Sequence, residues 1–485
     1  MSKRDLTKPK QKEKIIRLPI SKFIDSKFRD YAVYVLEARG IPSFYDALTP
    51  VQRFILKNSP GAYQKTLTVV GKSIEDGYHH GNTSLEGAIS KLARPFGNAL
   101  QILEGYGFFG SEVSPSPAAA RYTSVRLSGP ANGILNKYNY LTTREPEGPY
   151  DPFWMDIPLG LVTPIVGIAV GYKTTILPRK LKDIQDFLAG TRKSVKPYFE
   201  GFNGNIEKYK GVDKAWLISS NVTIDNKKIT VKEIPPILKY DTVLKKLDYL
   251  FNKFEGNIRI KDDSKHKVNI EIAYIGRSKE DWEEVIRFVQ KAFSVIVTEN
   301  PVFIKDGQVL TYDSIEQYLE DYKWQVVRLK LKNTLYERDK LSFELNFSYA
   351  KELFIGFILE KTKTNIRTNN EIDEWFKAKN YEKEIVERLE RMTSRKFTTD
   401  ELFATAATIR ALIRDLKEKE KELKEAEKAF NKYPDPTLAR GIGHKTNIVN
   451  LFETGDITED KEGIIIWDGN DVFDSDNQED NEEIE

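Results

Sequence analysis

The stretch "EGYGFFGS", residues 104–111, decides between two folds. Its Gly105-x-Gly107-x-x-Gly110 spacing is that of a dinucleotide-binding turn, which needs a buried strand before it, a helix after it and an acidic residue about 20 positions on. Here the chain runs on into "SEVSPSPAAA", where Pro115 and Pro117 block the helix, since a proline has no N–H to donate and its ring crowds the preceding turn. The glycines therefore belong to a turn of another kind. A second phosphate-loop lookalike, "VVGKS", has Thr66 where the first glycine of the pattern should stand, so the sequence carries no complete ATP site.

Working outward, the residues up to about 150 read as short helices joined by glycine turns. Pro50 opens "PVQRFILKN" at a first helical position. In "TSLEGAISKLARPF" the spacing of Thr83 and Glu86 predicts a capping box, and Leu85, Ile89 and Leu92 share one face, turning Ser84, Lys91 and Arg94 outward. Three such helices followed by a loop suggest a helix-turn-helix or winged-helix unit, a frequent DNA reader and a frequent protein scaffold. From about 150 to 310, strand-like runs such as "LVTPIVGIAVG", "KAWLISSNVTI", "KKITVKEI" and "HKVNIEIAYI" precede the helical "KEDWEEVIRFVQKAF", which predicts an α/β domain. No proline occurs between Pro301 and Pro434, and two long helices are expected there, about 313–359 and 399–433. In the second, Leu402, Ile409, Leu416, Leu423 and Phe430 recur at coiled-coil spacing. At 1.5 Å per residue the first would reach roughly 70 Å, and the pair could form an antiparallel arm with 360–398 at its tip.

A chain of 485 residues with 40% hydrophobic content can bury two to four cores. It has no cysteine, which removes disulfides and thiolate chemistry and leaves any zinc site without sulfur. The N-terminus lacks an apolar signal core, and the longest apolar run, 157–172, is interrupted by Pro158 and Pro164, so no membrane segment and a cytoplasmic location are expected. The net charge of +2 conceals a segregation: residues 468–485 hold nine acidic and no basic side chains, leaving +11 on the rest. Residues 1–17 add seven basic against two acidic side chains. A basic body favours a polyanionic partner, and the acidic tail reads as a solvated, disordered segment that could compete for the same groove.

With "AAARYTSVRLS" following the glycine turn, several motifs stand in one order: "YAVYVLEARGIPSFYDALTPVQRFIL", "GYHHGNTSLEGAISKLARPF", "LEGYGFFGS", "AAARYTSVRLS", "GIAVGYKTTILPR" and "KEIPP". In this order the chain resembles the DNA-cleaving subunits of type IIA DNA topoisomerases, the family that includes the cleavage subunit of gyrase, and in size and motif detail is nearest the medium subunits of T-even phages. The resemblance covers nearly the whole length. It implies an α+β multidomain fold: a basic arm at 1–20, a winged-helix DNA-gate domain at 21–150, an α/β tower domain at 151–310, a coiled-coil arm with a distal dimerisation gate at 311–433, a connector at 434–467 and the acidic tail at 468–485.

The resemblance also implies that Tyr122 attacks a DNA phosphodiester and becomes joined to the 5′ phosphate, with Arg121 and Arg39 stabilising the charge of the transition state and His79 and His80 near the scissile phosphate. Arg53, Lys72, Thr83, Ser84, Arg94 and Lys173 become candidates for DNA contact, and Ile168 matches the side chain that wedges between base steps. "YHHG" lacks the proline that gyrase has between its histidines, and "NTSLEG" departs from the gyrase pattern at Asn82 and Gly87. Magnesium and ATP are expected to be held mainly by a partner, a TOPRIM-type ATPase large subunit in one chain or two, while this chain forms a homodimer on double-stranded DNA. The pair Asp474 and Asp476 in the tail is not in a convincing metal setting. Because about 35 residues follow "HKTNIVNLF", the expected activity is relaxation and decatenation rather than negative supercoiling. Two rival readings compete with this one, a non-enzymatic DNA-architectural protein with a winged helix and coiled coil, and an oxidoreductase binding a nucleotide at "GYGFFG".

Overall fold

A computed structural model of the chain describes residues 31, 34–36, 40–138, 140, 152–363, 369–393 and 395–439, with short segments at 445–447, 457–459 and 465–467. The basic arm, Arg39 and the acidic tail with Asp474 and Asp476 lie outside the described residues. The chain divides into two compact units, Met1–Glu320 with Thr437–Glu485, and Asp321–Pro436.

The first unit opens with three helices, Pro50–Lys57, Thr66–Glu75 and Asn82–Ala93, packed on one another. Pro50 stands in the first turn as its fixed φ favours, and Thr49 and Gln52 close a capping box in which the Gln52 oxygen accepts from the Thr49 N–H at 2.9 Å. Leu85, Ile89 and Leu92 are buried on one face of Asn82–Ala93. The capping box expected at Thr83 does not form. A cap must stand outside the helix in extended backbone, and Gly81 is that residue, its carbonyl accepting from the Ser84 N–H at 3.0 Å, so Thr83 falls within the first turn. Beside the helices lies a three-stranded antiparallel sheet in which Ser124–Leu127 is flanked by Gln64–Lys65 and Leu103–Tyr106.

The rest of this unit combines antiparallel sheets with the helices that cover them. Ile165–Ile168 pairs with Lys173–Ile176. Asn205–Lys208, Ala215–Ser219 and Ser294–Thr298 form a three-stranded sheet, and Val222–Asp225, Lys228–Val231, Ile270–Tyr274 and Ile258–Asp262 a four-stranded one. Every ladder in these sheets is antiparallel, which corrects the α/β expectation for 151–310 to α+β. In one hairpin the connection decides it: Asn226 and Lys227, both at positive φ (41° and 62°), turn the chain in two residues, whereas a parallel pair needs a crossover of a dozen or more. Helices Tyr240–Lys253 and Lys279–Ala292 cover the four-stranded sheet with Val243, Leu247, Leu250, Val285 and Val289 over Ile229, Val231, Ile270 and Ile272.

A buried ionic hub joins the hairpin region to the three-stranded sheet. The Arg179 guanidinium donates to both carboxylate oxygens of Glu299, at 3.0 and 2.7 Å, and to the carbonyls of Leu177 and Val195, while Glu299 also accepts from the Trp216 indole N–H at 2.8 Å. All these donors and acceptors are satisfied, as a buried charge requires.

The second unit consists of helices. Most of Ile315–Lys363 belongs to it, with Asn369–Lys379, Lys383–Glu390 and Thr399–Asn431. Trp324 meets Phe430 with ring centroids 6.3 Å apart, and Glu337 pairs with Lys419 at 2.8 Å, so the two long helices run antiparallel. Ile409 and Leu423 are buried and Leu402, Leu416 and Phe430 half-buried, the seam that the seven-residue spacing predicts. The two short helices close a cluster of Phe354, Ile355, Ile358, Ile372, Phe376, Ile385 and Leu389.

Candidate active site and nucleic-acid interface

Tyr122 ends a single 3-10 turn, Ala120–Tyr122, that leads into the strand Ser124–Leu127. The turn is fixed on both sides. Thr123 is buried, its hydroxyl 2.8 Å from that of Thr66, and the Thr66 N–H donates to the Thr123 carbonyl at 3.1 Å. On the other side lies the glycine turn. Gly107 has φ +105°, and a Cβ there would stand 3.2 Å from the Tyr122 carbonyl oxygen and 3.3 Å from Thr123 Cγ2. Gly110, at φ +92°, leaves no room for a Cβ beside the Pro115 carbonyl oxygen, which would be 2.6 Å away. The glycines thus bring one limb of the loop against the backbone of the tyrosine turn, and no helix follows them. The backbone is held while the side chain is free: Tyr122 is 65% exposed, and the Arg121 guanidinium carbon lies 4.8 Å from its ring centre. An exposed phenol on a rigid turn with a cation over its ring can act as a nucleophile toward an anionic substrate.

The histidine pair makes a separate group. His79 is exposed and His80 half-buried in the loop before helix Asn82–Ala93. His80 Nε2 lies 3.0 Å from the Tyr34 hydroxyl, its ring is edge-on to Tyr78 at 5.2 Å, and the Tyr78 hydroxyl donates to Ser84 Oγ at 3.1 Å. None of these contacts reaches Arg121 or Tyr122. Tyr34 escapes sequence reasoning; its place three residues after Tyr31 on an apolar run is the only signal it offers.

Among the proposed DNA contacts, Lys72, Thr83, Ser84 and Lys173 are exposed. Arg53 is not free to bind a phosphate. It is buried, its Nε 2.8 Å from Asp46 Oδ2 and its Nη2 3.0 Å from the Leu48 carbonyl, and Asp46 in turn accepts from the Leu48 and Phe153 N–H groups. The reading of Arg53 as a phosphate contact is corrected for that reason: its charge is already neutralised inside the fold. Arg94 is half-buried, with its guanidinium carbon 5.0 Å from the centre of the Phe96 ring, and burial pushes its pKa down. Its position is enclosed by the bend at Gly97, where a Cβ would meet Nη2 at 2.8 Å.

Ile168 ends the first strand of the Ile165–Ile176 hairpin and faces Lys173 across it. Alternation along the strand buries Ile165 and leaves Val166 and Ile168 exposed at 67% and 72%, an unusual pair of bare aliphatic side chains beside a lysine.

Among the described residues no group of three or more His, Asp or Glu side chains is gathered as metal ligands. The donors around Tyr122 therefore do not by themselves make a divalent-cation site. No helix among the described residues is long and apolar enough to cross a membrane.

The family model for the DNA gyrase/topoisomerase IV A subunits matches residues 39–435. The chain belongs to that family. It is a member of the type IIA topoisomerase cleavage subunits, enzymes that act on DNA. The DNA topoisomerase medium subunit of Enterobacteria phage T4 is 26% identical over 79% of this chain and 90% of its own length. The A subunit of DNA gyrase from Buchnera aphidicola is 27% identical over 68% of this chain and 43% of its own length, and a DNA topoisomerase 2 from Meyerozyma guilliermondii 29% identical over 75% and 28%. The chain thus spans most of the phage subunit and less than half of the other two. The crystal structure of the Plasmodium falciparum topoisomerase II DNA-binding, cleavage and re-ligation domain superposes with a TM-score of 0.69 at 20% identity, over 84% of this chain and 64% of that one, so the α+β fold is shared.

Proposed function

We propose that this chain is the breakage-reunion subunit of an ATP-dependent type IIA topoisomerase and that Tyr122 is its nucleophile. The observation that carries this reading is the pairing of a free, exposed phenol with a pinned backbone and the Arg121 guanidinium over its ring. The phenol oxygen attacks phosphorus, the 3′ oxygen leaves and takes up a proton, and the phenol proton passes to a base near the site. One phosphoester replaces another, so the reverse attack of the 3′ hydroxyl reseals the strand without an external energy source. Arg121 and Arg39 stabilise the charge that builds on the phosphoryl oxygens, and His80, oriented by Tyr34 and Tyr78, assists at the scissile phosphate together with His79.

In the same reading, two copies of the chain supply the two tyrosines that a double-strand break requires. The three helices and small sheet act as a winged-helix DNA gate, the hairpin and sheet region as a tower, and the antiparallel helical pair as a coiled-coil arm closing a second gate. Lys72, Thr83, Ser84, Arg94 and Lys173 contact the backbone, and Ile168 bends the duplex by wedging between base steps. Magnesium and ATP are held by a TOPRIM-type ATPase partner; the "medium subunit" name of the phage relative supports a divided enzyme. Relaxation and decatenation are the activities proposed.

The test is a covalent-adduct assay with end-labelled duplex, Mg²⁺, this chain and a candidate partner, quenched with detergent. Label joined to this chain through a 5′ phosphate, and lost in Tyr122→Phe, is the expected result. A parent chain that holds DNA and partner without forming an adduct would return the protein to an architectural role.

A further inference from the structure

The loop that ends at Tyr122 is supported at its far end by a different sheet. Between the strand Leu103–Tyr106 and the turn Ala120–Tyr122, two clamps draw its limbs together: the Ala118 N–H donates to the Phe108 carbonyl at 2.9 Å, and the Ser111 N–H to the Ser114 carbonyl at 2.8 Å. The tip beyond the second clamp carries Glu112 and Val113. Val113 packs against the core of the four-stranded sheet, the cluster of Ile229, Val231, Val268 and Ile270. Phe108 stands 6.2 Å, centroid to centroid, from His266, in the turn that joins Ile258–Asp262 to Ile270–Tyr274. The half-buried Glu112 carboxyl lies beside the same turn, with the Val268 backbone, Lys267 and Glu233 as its electrostatic neighbours. Burial, opposed by Lys267 and reinforced by Glu233, pushes this carboxyl up, and one oxygen of each acid, Glu112 Oε2 and Glu233 Oε1, has no hydrogen-bond partner.

We propose that Glu112 and Val113 are positioning residues for Tyr122, seating the tip of its loop on the four-stranded sheet so that this sheet sets where the nucleophile's turn stands. The proposal rests on the reading of Tyr122 as nucleophile. Its physical content is a lever with two fixed points: the Thr66–Thr123 contact holds the turn, the Val113 seat holds the tip, and the glycine bend at 107–110 joins them. A load on the four-stranded sheet from bound DNA would then be transmitted to the tyrosine without any residue of that sheet touching the scissile phosphate.

The experiment measures two quantities on the full chain with its partner and Mg²⁺: the single-turnover rate of adduct formation at saturating end-labelled duplex, and the affinity for the same duplex. Val113→Asp puts a charge into the apolar seat and is expected to lower the rate about tenfold or more with affinity within about threefold. Val113→Ile, which keeps an apolar tip, should cleave near the parental rate. Val113→Ala carries the same test, with a smaller loss, if the Asp variant does not fold. From the polar side, Glu112→Lys should slow cleavage and the double exchange Glu112→Lys with Lys267→Glu should recover it. A Val113→Asp or Val113→Ala chain that cleaves at the parental rate overturns the seat, and so does a loss wholly accounted for by weaker DNA binding. A parent chain that forms no adduct overturns the assignment of Tyr122 instead, which separates the two failures.

Discussion

Gly40 and Gly167 touch backbone to backbone. A Cβ added at Gly167 would stand 1.8 Å from the Gly40 carbonyl oxygen, and one at Gly40 would stand 2.8 Å from the carbonyl oxygen of Ile168. The hairpin that exposes Ile168 is therefore applied directly to the segment that leads into the three-helix region, with Leu36, Ile41 and Val302 buried around the join and Ala169 and Tyr172 against them. Neither contact tolerates a side chain, because backbone atoms cannot yield as the end of a flexible chain can.

Gly167→Ala is expected to destabilise the protein by at least the 1–3 kcal/mol typical of overpacking, visible as a lower denaturant midpoint. Gly171, which has open space around it but φ +76°, supplies the comparison: Ala there costs backbone strain without a clash. If Gly167→Ala unfolded at the parental midpoint, the close approach would not exist in solution.

Breaking the Asp46–Arg53 pair leaves an unpaired buried charge, so Arg53→Met and Asp46→Leu should each cost about 3–5 kcal/mol in urea unfolding, and the double substitution less than their sum. DNA affinity of the folded Arg53→Met chain should equal that of the parent. A selective loss of affinity with unchanged stability would restore Arg53 to the DNA-binding face.

Ile168→Ala removes the most exposed aliphatic side chain of the hairpin without touching its core. If it wedges between base steps, fluorescence transfer between the ends of a bound duplex should fall toward that of straight DNA, while the folding midpoint stays put. Val166→Ala should have a smaller effect on the bend. Unchanged transfer in Ile168→Ala would assign the exposure to another partner.

Tyr240 and Asp262 set a pH signature. The Tyr240 hydroxyl donates to Asp262, and burial, aided by this bond, pushes its pKa up to about 12. The neutral phenol is favoured in the fold, so this stabilisation is complete below pH about 10, the unfolded value, and is lost as pH rises toward 12. At Asp262, desolvation raises the pKa, but hydrogen bonds from Ser264 and Tyr240 outweigh it and the net direction is downward. That contribution is present above the unfolded pKa of about 3.9 and is lost as pH falls below it. Tyr240→Phe should accordingly lower the urea midpoint at neutral pH and narrow the gap to the parent at both extremes; an unchanged midpoint at neutral pH would show that the bond contributes nothing.

What the sequence made legible were patterns repeated along the chain. Of the five residues at seven-residue spacing, Leu402 to Phe430, two are buried and three half-buried on one helix, as such a repeat on a long helix leads one to expect. Pro50 marked its helix start because its φ permits little else. The misreadings share one cause, a partner that one-dimensional patterns do not reveal. Arg53 reads as a surface cation until Asp46 folds beneath it; Thr83 reads as a cap until Gly81 takes the extended position; the strands between 205 and 298 read as α/β until each is seen to pair antiparallel with its neighbour. Tyr34 and the Val113 seat were invisible for the same reason, since each acts through a residue far away in sequence.

The paired long helices impose a quantum on how their own unit can change length. Thirteen residues separate Trp324 from Glu337 on one helix and eleven separate Lys419 from Phe430 on the other, so the two advance nearly in step. One residue inserted in a single helix would turn everything past it by about 100° and carry Glu337 away from Lys419. Seven in each would nearly restore both the angle and the partners. Growth or shrinkage along this axis is therefore expected in matched heptads, a gauge that nature can cut only at fixed marks.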